Sequence, residues 1–77
     1  MKTYDFDIKV LILINGSKDN VYTFDKKISV SSRDLYTAQF RAFQAIKKEC
    51  LNCNDLLAQQ VYADNIYFNV RYALWKN

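Results

Sequence analysis

Histidine and proline are absent from this chain, and glycine occurs once, at position 16. Without histidine, Ser–His and Cys–His nucleophile pairs and His-ligated metal sites are excluded. A single glycine cannot build a Gly-rich phosphate loop. So few chain breakers leave most of the sequence to regular structure. The longest wholly apolar run, Val10 to Ile14, is far short of the ~20 residues that cross a bilayer. The opening residues, Met1 to Asp7, place acids where a secretory apolar stretch would begin. The expected location is therefore cytoplasmic, with no membrane partner. In that compartment Cys50 and Cys53 are expected as thiols, and the Asn15-Gly16-Ser17 sequon has no glycosylation role.

What is present fits one small globular domain over residues 1–77. Half of the residues are hydrophobic (51%), and twelve are aromatic: one Trp, six Tyr and five Phe. A chain of 77 residues buries only about 60% of its unfolded surface, so its stability is expected to be modest. Domains of this size often gain stability by dimerising. The net charge of +3 is a mild bias that permits a nucleic-acid or acidic-protein partner and requires neither. Lys, Asn, Ile, Tyr and Phe make up 32 of the 77 residues. Their AT-rich codons fit a low-GC bacterium or one of its phages.

Hydrophobic periodicity sets the elements. Residues 4–14 alternate, with Tyr4, Phe6, Ile8, Val10, Ile12 and Ile14 on one face and Asp5, Asp7, Lys9, Leu11 and Leu13 on the other. This is a strand with one apolar face. Asn15-Gly16 is a turn signal, because both residues tolerate positive φ. Residues 21–30 alternate again, with Tyr22, Phe24, Ile28 and Val30 on one face, interrupted by Lys26. Strand, turn and strand predict an antiparallel hairpin.

Ser31-Ser32-Arg33-Asp34 predicts a helix start with Ser at the cap. The period then becomes 3.6 up to about Cys50. Leu35, Gln39, Ala42, Phe43, Ile46 and Cys50 share one face, flanked by Tyr36 and Ala38. Asn54 can cap a short second helix holding Leu56, Leu57 and Val61, with a strand over 57–62 as the rival reading. Ala63-Asp64-Asn65 reads as a turn. Residues 66–75 then alternate, Ile66, Phe68, Val70, Tyr72 and Leu74 against Tyr67, Asn69, Arg71, Ala73 and Trp75. This third strand is expected to be central or paired along its length. The predicted fold is α+β: β-β-α-(short α)-β, a hairpin and C-terminal strand in one sheet with the helix on one face.

The chemistry-bearing groups are few. Asp5, Asp7 and Asp25 can cluster on the hairpin and hold Mg²⁺, or form a solvated strand face. No general base or nuclease signature accompanies them, so neither catalysis nor a cofactor or small-molecule substrate is expected. Cys50-Leu51-Asn52-Cys53 has redox-motif spacing but falls at a helix C-terminus, where the dipole opposes a thiolate. As a zinc half-site it needs a second copy of the chain to complete four ligands. The expected role of Cys50 is packing.

Two surfaces remain. Arg33, Thr37, Arg41, Gln44 and Lys48 form a row of donors on the helix, with Lys47 at the opposite border of its apolar stripe. Such a row can track phosphates or face solvent. Tyr67, Asn69, Arg71 and Trp75 project from the face opposite the helix, with Leu11 and Leu13 beside them. Tyr, Trp and Arg are enriched at binding hot spots. The expectation is a non-enzymatic protein-binding module, acting as a homodimer or on a larger partner. An accessory protein of a phage or mobile element, modulating or inhibiting a host protein in the host cytoplasm, fits it. The alternative is a nucleic-acid-binding protein using Arg33, Arg41, Lys47 and Lys48.

Overall fold

The computed structural model describes residues 1–53 and 61–76. Three strands, β1 (Lys2–Leu13), β2 (Val21–Ser32) and β3 (Ile66–Lys76), and one long helix, α1 (Leu35–Leu51), carry the architecture. The sheet order is β2-β1-β3, and every pairing is antiparallel. The fold is therefore α+β, with one helix packed on a three-stranded sheet.

β1 is central because its inward face is apolar from end to end. Phe6, Ile8, Val10 and Ile12 are wholly buried there. They meet Ile28, Phe24 and Val30 of β2, and Ile66, Phe68, Val70 and Ala73 of β3, all packed on the same core. The hairpin turns where Asn-Gly predicts. Asn15 (φ 55°) and Gly16 (φ 70°) both take the left-handed conformation within a 3₁₀ turn. The Ile14 N–H donates to the Asn20 carbonyl at 2.9 Å and closes the loop.

β3 is paired along its length but lies at an edge; the central position belongs to β1. Its alternation is also broken. Ile8 pairs with Val70, whereas the preceding Asp7 pairs with Tyr72, so Arg71 is an extra residue in a β-bulge. Every side chain after Arg71 consequently changes face. Ala73 and Trp75 pair with the inward residues Phe6 and Tyr4, and Tyr72 and Leu74 pair with the outward Asp7 and Asp5. Unbroken alternation assigned these four the other way round.

The helix cap lies three residues later than expected, at Asp34 rather than Ser31. Ser31 and Ser32 belong to β2, where Ser32 pairs with Lys2 and is buried. The cap is Asp34, whose carboxylate accepts the Thr37 N–H at 2.8 Å. That bond, with the Thr37 hydroxyl as second donor, holds the Asp34 carboxyl below its ordinary range. α1 lies over β2 and β1. Ala38, Ala42, Ile46 and Cys50, each four residues apart, form its buried line. Two alanines allow the helix backbone to approach the strands closely. Leu35 and Tyr36, expected at this face, are exposed, since the buried line runs through Ala38 rather than the first-turn residues.

Lys26, which interrupts the apolar face of β2, pairs with Ile8 and sends its ammonium out to Glu49 of α1, 3.1 Å away. Residues 54–60 of the expected second helix or strand lie outside the described residues. Of the remainder, Val61 is buried and Tyr62 is extended. Ala63–Asn65 is a 3₁₀ turn leading into β3.

Phe6 is the largest side chain that the core encloses completely. Phe6→Ala is expected to lower the unfolding free energy by about 3–5 kcal/mol, most of the stability of a domain this small. Val21→Ala, at an exposed site, is expected to cost less than ~1 kcal/mol. Urea unfolding followed by far-UV circular dichroism checks both, and equal midpoints for Phe6→Ala and the parent chain would contradict this core.

Candidate interaction surfaces

The bulge at Arg71 distributes the exposed groups of β3 over both faces of the sheet. On the outward face, Tyr67 pairs with Leu11 and Asn69 with Lys9. Leu11 and Leu13 are half-buried beside Thr23 and Val21 of β2. Arg71 reaches across the central strand to Asp25 of β2, with N–O 3.0 Å. Both groups are about half exposed, so the pair contributes within the ~0–1 kcal/mol usual for surface pairs. It does, however, commit Arg71 to its own sheet. Tyr72 and Leu74 complete the outward face at the far end. With Asp5, Lys27 and Ser29 they line a shallow pocket of about 260 Å³.

Trp75 is not with them. It stands on the helix side next to Tyr4, 57% exposed, with the Lys2 ammonium 4.4 Å from its ring centroid. The proposed grouping of Tyr67, Asn69, Arg71, Leu11 and Leu13 therefore holds as one face, and Trp75 leaves it. Sequence reading also missed Tyr72 and Leu74, because nothing in the alternation marks an inserted residue.

The helix side carries a second group that the sequence did not single out. Phe43 stacks on Phe68 of β3, with centroids 4.4 Å apart and planes within 6°, and the Lys47 ammonium lies 6.0 Å from the same ring. These contacts show which side of α1 faces β3. At 100° per residue, Tyr36 lies on that side two turns before Phe43, whereas Phe40, about 200° from both Ala38 and Ala42 of the buried line, is turned to the solvent side of α1. Tyr36 is 83% and Phe40 62% exposed. Because α1 runs back along β2, this end of the helix lies at the Trp75 end of the sheet. Tyr36, Phe40 and Trp75 are all exposed toward this end of the molecule.

The basic residues do not form one surface. Arg33, Arg41 and Lys48 are exposed, and Arg41 donates to the Ser31 carbonyl at 3.0 Å. Lys47 stands apart, on the β3 side. The acids are also dispersed by their partners. Asp25 pairs with Arg71, and Asp5 accepts from the Ser29 hydroxyl. Among the described residues, no three His, Cys, Asp or Glu side chains gather closely enough to hold a metal ion.

Asp7 is different. It lies on the outward face between Lys27 and Tyr72, only 8% exposed, and its Oδ1 has no hydrogen-bond partner. A buried carboxylate oxygen left unpaired is costly.

No helix among the described residues is long and apolar enough to cross a membrane. No family model, curated protein or solved structure matches the chain.

Both cysteines are free thiols, Cys50 buried in the last turn of α1 and Cys53 exposed. Burial, reinforced by the neighbouring Glu49 charge, pushes the Cys50 thiol above its ordinary pKa, so little thiolate forms near neutrality. A thiol-specific reagent at neutral pH is expected to modify one group per native chain quickly, at Cys53, and to reach Cys50 only on unfolding. Two equally fast thiols would show that the last turn of α1 is open.

Proposed function

We propose that the chain is a non-enzymatic module that acts by binding another protein. The observation that carries this reading is the number of large exposed side chains on β3, Tyr67, Tyr72, Leu74 and Trp75, with Tyr36 and Phe40 also exposed on the helix. Exposed apolar groups scattered singly are ordinary, but four large ones on a single edge strand favour a contact surface. The AT-rich composition fits a small accessory protein of a phage or mobile element acting on a host protein.

A nucleic-acid reading has less behind it. Phosphate tracking needs a continuous basic row, whereas Lys47 faces away from Arg33, Arg41 and Lys48. Capture from the source-cell lysate by the immobilised chain, with and without nuclease, separates the two. The expected result is a protein that survives nuclease and moderate salt. Trp75→Ala and Phe40→Ala are each expected to weaken its capture, by up to ~2 kcal/mol where the residue is a hot spot, without unfolding the chain. Material lost on nuclease treatment and abolished by Arg41→Glu would replace protein binding with the nucleic-acid reading.

A further inference from the structure

The two cysteines stand together where α1 ends. Cys50 is the last member of the buried line that begins with Ala38, and Cys53 follows the Asn52 cap and is exposed. The Cys53 N–H donates to the Cys50 carbonyl at 3.3 Å. Leu51 is helical and Asn52 keeps the right-handed conformation (φ −91°, ψ −3°). The Cα atoms of residues 50 and 53 therefore lie roughly 5–6 Å apart, as across one helical turn. A disulfide joins Cα atoms ~4.4–6.8 Å apart. Side chains three residues apart on a turn are also neighbours. Cys53 lies beyond Leu51, the last residue of α1, so drawing it toward Cys50 opens no i→i−4 bond of the helix.

We infer that Cys50 and Cys53 are a reversible dithiol–disulfide pair, closed in the folded chain by exchange with a low-molecular-weight disulfide. The exposed Cys53 thiol loses its proton and attacks one sulfur of that disulfide. The S–S bond breaks, and the departing thiolate takes up a proton. Cys50 then attacks the Cys53 sulfur of the mixed disulfide, and its proton passes to the second departing thiolate. The chain has given up two electrons and two protons, and the small disulfide has become two thiols. Burial shields Cys50 from reagents in solution but not from a neighbour in its own turn. The setting also favours the closed form. Pairs at a helix N-terminus hold a stabilised thiolate, which makes their disulfides easy to reduce. Here burial, with Glu49 and Cys53 beside it, keeps the Cys50 thiol protonated near neutrality, against a smaller opposing effect of Lys26. The reduced pair thus gains nothing from a thiolate. No residue of β3 takes part, so the pair is independent of the protein-binding reading.

The test is to incubate the full reduced chain with excess oxidised glutathione at neutral pH, without denaturant, and to measure the intact mass after an acid quench. The expected product is a single chain lighter by two hydrogens. Neither cysteine is then alkylated after denaturation, the far-UV circular dichroism is unchanged, and dithiothreitol restores both thiols. Cys50→Ala is expected to stop at the glutathione adduct of Cys53, and Cys53→Ala to stay unmodified over the same time. Circular dichroism verifies that each variant is folded; where one is not, the mass of the parent chain decides alone. A parent chain that stays reduced, accumulates the glutathione adduct, links to a second chain, or closes only after losing its circular dichroism signal overturns the inference.

Discussion

Everything in this fold hangs on the inward face of β1. Phe6, Ile8, Val10 and Ile12 are fully enclosed, and each has a strand on either side. A strand whose inward positions are all large and apolar gains most from being central, because both flanks and one face then exclude water. That requirement places β2 and β3 at the edges. It also draws the helix toward β2 and β1, where the Ala38–Ala42–Ile46 line allows close approach. The cost falls on β3, which keeps apolar side chains but has less to cover them. The exposed aromatics are thus a consequence of how the core is satisfied. On β3 they are Tyr67, Tyr72 and Trp75.

The bulge at Arg71 determines what those aromatics can do. Inserting one residue sends Trp75 to the helix side and Tyr72 and Leu74 to the outward side. Continued alternation would have put Tyr72 and Leu74 beneath the helix side, with Trp75 among the acids of the outward face. The bulge instead lets Trp75 sit beside Tyr4 under the Lys2 ammonium, and lets Arg71 reach Asp25 on the far strand.

Much of this was legible in the sequence where local physics decides the outcome. Alternation fixed the faces of β1 and β2, Asn15-Gly16 located the turn, and the change to a 3.6 period located α1. The rest depended on partners distant in the chain. Nothing marks Arg71 as a bulge, since the glycine that often signals one is absent. The Ser31-Ser32-Arg33-Asp34 run contains several competent caps, and the extension of β2 to pair with Lys2 selected Asp34. Lys26 reads as a fault in an apolar face until Glu49, 23 residues away, is seen to receive its ammonium. Of the residues proposed for the surface, Tyr67, Asn69, Arg71, Leu11 and Leu13 share a face and Trp75 does not, while Tyr36, expected beside the helix core, is exposed and Phe40 was passed over. Helix periodicity gives the angle between residues, but only the packing contacts show which angle faces β3.

The displacement of β3 by one residue after Val70 decides which side chains share a face, and a NOESY spectrum of the chain reads that displacement directly. The bulged register predicts contacts from the Trp75 indole to the Tyr4 ring and the Lys2 side chain, and from Leu74 to the Asp5 side chain. Contacts from Trp75 to Thr3, with Leu74 instead against Tyr4 and Tyr72 against Phe6, would mean that alternation continues through Arg71 and would contradict it.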